Sequence, residues 1–449
     1  MFPLVLLTLC SCDLHKKLAE MHFNQGMKKV QAGDSAGATD DFSGAIAQDP
    51  NFAEAYLYRG ICYFSLSNCA TAIKDFDKVI ELNPNTERAF YYRGAAELGL
   101  KDFKSAITNF TQAIGLQPDD ADACNYRGLA RANLRDWNGA MDDFNHVIEL
   151  TPLAATAYRN RSGIEVSLKE YEKSLADASQ AIELNGNDAF SYRIRGHAKS
   201  LLKDFPGALA DFDRAIELTP EAAEAYAGRA GVKLRLDDFE GASADLEQAF
   251  QLNPKSPPAF VGRGFLKEKR GDDPGALADF NRAVELGPQF AETYASLGVL
   301  QYNLHDWRPA LVNLRKALEI DSSMDNLRFY IWLIRSQTGE GEDAGKELDA
   351  YVKSLPGEKA KEWPASVGRF LTGNLPENEF LSQATTIAKR PSAISGQVCE
   401  SFYYAGMKHK LAGDKPGAVA FFQKCVDAGD DNNFGYLSAR VELRALKQH

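Results

Sequence analysis

The residues with most chemistry to offer in this chain recur at fixed intervals. Arg stands at 59, 93, 127, 161, 195, 229 and 263, and sixteen residues after each stands Asp75, Asn109, Asp143, Asp177, Asp211, Asp245 or Asp279. A guanidinium grips a carboxylate through two parallel N–H groups. The two columns therefore read either as a ladder of internal ion pairs or as an arginine row that binds an anionic ligand. A half-buried Arg needs a paired acceptor, which favours the ladder. A second set is aromatic and polar: Tyr58, Tyr91, Tyr92 and Tyr126, then Asn125, Arg159, Asn160 and Arg193. Tyr and Arg are frequent anchors in interfaces, so this set reads as the lining of a groove that captures a partner peptide or helix. Tyr at helical spacing also serves as packing.

Chemistry of other kinds finds no foothold. The seven His, at 15, 22, 146, 197, 305, 409 and 449, include no pair at metal-ligand spacing and no His-Glu-x-x-His. There is no Gly-x-Ser-x-Gly elbow, no phosphate-cradling Walker loop and no Cys-x-x-Cys. Gly262-Arg263-Gly264 lacks the following Gly of a dinucleotide loop. The expectation is a protein that is not an enzyme, with no metal, no cofactor and no small-molecule substrate. A net charge of −11 without a basic block argues against binding nucleic acid. The remaining composition, 45% hydrophobic and 25% charged, is that of a folded chain.

The intervals define the elements that hold these side chains. Pro occurs at 50, 84, 118, 152, 220, 254, 288 and 356, spaced by 34 or its multiples, with Gly186 and Ser322 in the two empty places. Twelve residues before each stands Ala, at 38, 72, 106, 140, 208, 242, 276, 310 and 344, or Ser174. Counting positions from Ala53, position 8 is Gly26, Gly60, Gly94, Gly128, Gly196, Gly264 and Gly298, with Ser162 and Ala230 as small substitutes. Position 4 is mostly aromatic, and position 24 is Phe42, Phe76, Phe110, Phe144, Phe212 and Phe280. Positions 4, 8 and 11 share one face of a helix A, and 20, 24 and 27 one face of a helix B. Small against large lets the two faces interlock, and the proline at position 32 ends helix B.

This pattern resembles the tetratricopeptide repeat, over ten units in residues 19–358 with the tenth degenerate. The resemblance implies an all-α solenoid, a right-handed superhelix of antiparallel helix pairs, with the groove lined by positions 2, 5, 6, 9, 12 and 13. Residues 359–398 break the period and read as short helices and turns. A further unit returns at 399–432, with Phe402, Gly406, Ala418 and Phe422 at positions 4, 8, 20 and 24, and 433–449 reads as a capping helix. Cys399 and Cys425 fall at the start of helix A and the end of helix B of that unit, close enough to form a disulfide or to stay as two buried thiols.

Residues 2–9 form a short apolar run, and Leu9-Cys10-Ser11-Cys12 after it resembles a bacterial lipobox. Residues 1–12 thus read as a lipoprotein-type signal peptide, with Cys12 as the lipid attachment site on the periplasmic side of the cell envelope. Glu362-Trp363-Pro364, the run Gly368 to Leu375, and Glu400 to Met407 resemble the C-terminal half of the new lipoprotein I family. That resemblance implies an adaptor that brings peptidoglycan hydrolases and a processing protease together. The expected function is a non-enzymatic interaction scaffold with protein or peptide partners. The alternative is a substrate-binding or assembly factor of a polysaccharide or protein export machine.

Overall fold

A computed structural model describes residues 3–387, 391–428 and 434–448; the side chains of residues 3–13, 391–394, 434 and 448 lie outside that description. Every element among these residues is a helix. Units one to six are the pairs α1 (Pro3–Gln31) and α2 (Ser35–Gln48), α3 (Ala53–Ser65) and α4 (Cys69–Leu82), α5 (Glu87–Gly99) and α6 (Phe103–Leu116), α7 (Ala121–Asn133) and α8 (Trp137–Leu150), α9 (Ala155–Ser167) and α10 (Tyr171–Leu184), and α11 (Ala189–Leu201) and α12 (Phe205–Leu218). Units seven to ten are α13 (Ala223–Arg235) and α14 (Phe239–Leu252), α15 (Pro257–Lys269) and α16 (Asp273–Leu286), α17 (Ala291–Asn303) and α18 (Trp307–Ile320), and α19 (Asp325–Gln337) and α20 (Gly341–Ser354). A short 3-10 helix (Gly357–Lys361) leads to α21 (Trp363–Leu371), α22 (Glu377–Thr386), α23 (Pro391–Leu411), α24 (Lys415–Asp427) and α25 (Phe434–Gln448). The chain forms two compact parts, residues 1–220 and 221–449.

The repeat period sets the helix ends residue by residue. Helix A runs from position 1 to 13 and helix B from 17 to 30. Between them position 15 is left-handed, held by Gly33, Gly271, Gly339 and Gly413 but also by Ser67, Lys101, Arg135, Lys169, Lys203, Asp237 and His305. A side chain there costs about 1–2 kcal/mol, and the cap that follows offsets part of it. Position 16 accepts the N–H of the third residue of helix B: Asp102 from Ser105 at 3.2 Å, Asp136 from Gly139 at 3.1 Å. At the far end the residue before proline is extended, as the ring demands: Asn83 has φ −143° and ψ 93°.

Where position 24 is phenylalanine it is fully buried. A Cβ on Gly60 would sit 2.6 Å from the Phe76 ring, and one on Gly128 2.7 Å from Phe144. That close approach is why a residue costing up to ~1 kcal/mol in a helix stands there. Positions 3, 8 and 10 of helix A meet positions 20, 24 and 27 of helix B in the core. Position 11, expected on the buried face of helix A, does face helix B, but mostly with polar and charged side chains (Arg131, Lys199, Lys233, Lys267) rather than a hydrophobe.

In the second part, the break in the period is a packed core. Phe370 stacks on Phe380 at 4.2 Å and Trp363 on Phe380 at 5.2 Å. Helix α23 begins at Pro391, before the expected start of the last unit at Cys399; proline at a helix start sacrifices no hydrogen bond. Helix α25 packs on α23 and α24. It also meets unit nine, through Ser438 to Asn303 on α17 at 2.8 Å and Glu442 to His305 in the following turn at 3.7 Å. Tyr403 closes the same contact, its hydroxyl 2.7 Å from that of Tyr302. Tyr302, at a groove position of unit nine, is consequently buried against the chain's own C-terminal helices.

Candidate functional site

The arginine column forms the ladder. Arg59, Arg127, Arg161, Arg195, Arg229 and Arg263 each bond the Asp sixteen residues on, as with Arg59 Nε to Asp75 Oδ2 at 2.9 Å and Nη2 to Oδ1 at 2.7 Å. Arg93 bonds neutral Asn109 the same way and takes its charge partner, Asp77 at 2.6 Å, from the preceding unit. The third nitrogen reaches back in other units too, from Arg59 to Ser43 at 3.0 Å and from Arg161 to Asn145 at 2.8 Å. One residue type thus ties helix A to helix B and each unit to the one before it. Hydrogen bonding to Asp raises the already high pKa of Arg59, Arg161 and Arg195 further. A column so committed is not a row of free anion receptors.

The tyrosine, asparagine and arginine set lies in the first part of the chain, and the structure brings it into one connected row. The Tyr of position 6 stacks on the position-24 Phe of the preceding unit: Tyr58 on Phe42 at 6.1 Å, Tyr92 on Phe76 and Tyr126 on Phe110 at 6.0 Å. Tyr91 bridges them edge-on, 5.1 Å from Tyr92 and 6.0 Å from Tyr126. Asn160 donates to Asn125 at 2.9 Å, and Arg159 donates to Asn160 at 3.3 Å and to Asp188 at 3.5 Å. All eight residues are half-buried. The tyrosines therefore pack the units together with one ring face and leave part of the ring to the groove.

Position 2 supplies residues that were not singled out from the sequence, although it is a groove column. Arg88 lies over Tyr58 at 5.4 Å and over Tyr92 at 5.8 Å. Phe190 is 45% exposed and is flanked by Arg159 at 5.3 Å and Arg193 at 4.3 Å. Reading down position 2 would have found both. Charge is unevenly spread along the row. Glu87 is pushed up to about 7 by burial and by its neighbour Asp120, whereas the two arginines gather around Phe190.

Cys399 and Cys425 are buried side by side as thiols, with Cys399 Sγ donating to the Cys425 carbonyl at 3.4 Å. The side chain of Cys12 lies outside the described residues. Among the described residues no group of three His, Cys, Asp or Glu could hold a metal ion, and no helix is long and apolar enough to cross a membrane.

A tetratricopeptide repeat model matches residues 53–86, and a second one matches 91–149, 198–257 and 229–290. The matched segments carry tetratricopeptide repeats. The matched segments cover the helix pair α3–α4, most of α5–α8, and the stretch from the end of α11 through α16. Among solved structures the chain is similar to a tetratricopeptide repeat protein from Parabacteroides merdae, at 17% identity over 60% of this chain and 94% of that one, with a TM-score of 0.42. MamA from Desulfovibrio magneticus matches at 22% identity over 38% of this chain and 96% of that one, TM-score 0.37. YrrB, described as having an unusual peptide-binding site, matches at 20% over 42% and 97%, TM-score 0.34. No curated protein sequence matches the chain.

Proposed function

We propose that the protein is a non-enzymatic scaffold that captures a segment of a partner protein in the groove of units two to six. The observation that carries this reading is the connected row from Tyr58 to Arg193. Half-buried rings, amides and guanidinium groups there are already ordered by their neighbours, so little side-chain entropy is lost when they meet a partner. Phe190 between two arginines suits a segment bearing an aromatic or aliphatic side chain beside a carboxylate. Partner capture by tagged full-length chain in cells tests it. Arg159→Ala with Arg193→Ala should lower recovery of cross-linked partner at least 5-fold with helicity unchanged; unchanged recovery would remove the groove from the account. The Tyr92→Ala and Tyr126→Ala pair is a poorer test, because both rings also hold units together.

The finer reading places this scaffold at a bacterial envelope, anchored through an acylated Cys12, with peptidoglycan hydrolases or a processing protease as partners. Its support is the Leu9-Cys10-Ser11-Cys12 motif and the resemblance of the C-terminal third to new lipoprotein I. Palmitate labelling that vanishes in Cys12→Ala would bear it out, and equal labelling of both chains would sink it.

A further inference from the structure

Position 11 behaves differently in unit five. In units four, six, seven and eight it is Arg131, Lys199, Lys233 and Lys267, and each places a cation 2.8 Å from the Asp at position 23. The same four nitrogens bond the carbonyl of position 19, at 3.1 Å from Arg131 and 3.4 Å from each lysine. Unit five carries Glu165 there, beside Asp177. Glu165 is 4% exposed, and its Oε2 makes no hydrogen bond. The surrounding cations are engaged elsewhere. Arg161 binds Asp177 at 2.5 and 2.8 Å and Asn145 at 2.8 Å, and Lys173 binds Glu170 at 3.0 Å. Burial, and then Asp177, push the Glu165 carboxyl up to about 7. Beside these groups lies an open pocket of about 330 Å³, also lined by Met141. A desolvated carboxyl oxygen that takes no donor costs free energy unless something supplies one.

We propose that this pocket binds an alkylammonium group from outside the chain, between Glu165 and Asp177, where four other units place their own cation. Its source is a lysine side chain of a partner or a free polyamine. The site is separate from the groove, since a helix turns 100° per residue and Glu165 lies on another side of α9 from Arg159 and Asn160. A primary ammonium there would hydrogen-bond Glu165 and share Asp177 with Arg161, as Lys199 shares Asp211 with Arg195.

Met141 makes the test local, because the chain has only six methionines. Full-length protein with ¹³C-labelled methionine methyls is titrated with cadaverine and with N-acetyl-lysine methylamide, against tetramethylammonium at equal ionic strength. Saturable movement of the Met141 methyl, with a midpoint on the order of 1 mM, is expected for the two primary amines and not for tetramethylammonium. Glu165→Lys supplies the cation internally and should abolish the response while raising the melting temperature. Glu165→Gln keeps the shape and should weaken binding at least 5-fold, with folding checked by circular dichroism. Tighter binding of the lysine amide assigns a partner side chain, and tighter binding of cadaverine a polyamine. No movement up to 50 mM amine, an equal response to tetramethylammonium, or an equal response in Glu165→Lys overturns the proposal.

Discussion

At the scale of single residues the ladder carries the sharpest stability prediction. Asp143 is almost fully buried and holds both Arg127 and Arg131. Removing Arg127 leaves it one partner, so Arg127→Ala should cost about 2–3 kcal/mol, somewhat less than orphaning the charge outright. Arg93→Ala should cost only about 1 kcal/mol, because Asn109 is neutral and keeps its bonds to Glu97 and Ser105. Urea midpoints of the two variants measure the difference, and equal shifts would mean that buried charge is not what the ladder manages. Acidity gives a second handle. Glu87, Glu165 and Glu268 each titrate near 7 in the fold, above the ~4.3 of an unfolded chain. Between those values the native state binds more protons, so stability from these groups is full below about pH 4.3 and is lost as pH rises through 7. The melting temperature should fall from pH 5 to 7.5 and then level off, less steeply in Glu165→Gln. A melting temperature that rises over this range would contradict the assignment.

At the scale of elements unit five stands apart. It replaces the Gly and Phe of positions 8 and 24 by Ser162 and Ala178, and the interlocking ring by a 2.9 Å contact between the hydroxyls of Ser162 and Ser174. A solenoid's stability is a sum over units and their interfaces, so a unit without its buried ring is the place where local opening is cheapest. Hydrogen exchange of α9 and α10 should outpace that of α7, α8, α11 and α12, and slower exchange in unit five would refute this. The end of helix B, the core columns 8, 20, 24 and 27 and the ladder were legible in the sequence, because a period repeated ten times averages away local ambiguity; columns 3 and 10, which fill the core from helix A, were not. The left-handed turn at position 15 was not, because seven side chains other than Gly occupy it. Nor was the meaning of Glu165: a single acidic residue in a basic column shows its consequence only once the pocket beside it is seen.

At the scale of the molecule the chain closes part of its own groove. Unit nine offers the same concave positions as the others, yet Tyr302, Asn303 and His305 receive α23 and α25. Sequence alone placed α25 at the end of the last unit but could not show this second contact, since nothing in the period records which earlier unit a returning helix meets. The row from Tyr58 to Arg193 has no such internal occupant among the described residues, which makes it the surface on which partner capture must be decided. The direct measurement is photo-cross-linking in cells from p-benzoylphenylalanine at Phe190, compared with the same probe at exposed Lys104 on α6, followed by peptide-level mass spectrometry. The account predicts adducts to one defined partner segment from position 190, absent from position 104 and lost when Arg159 and Arg193 become Ala. Indistinguishable adducts from the two positions would contradict it.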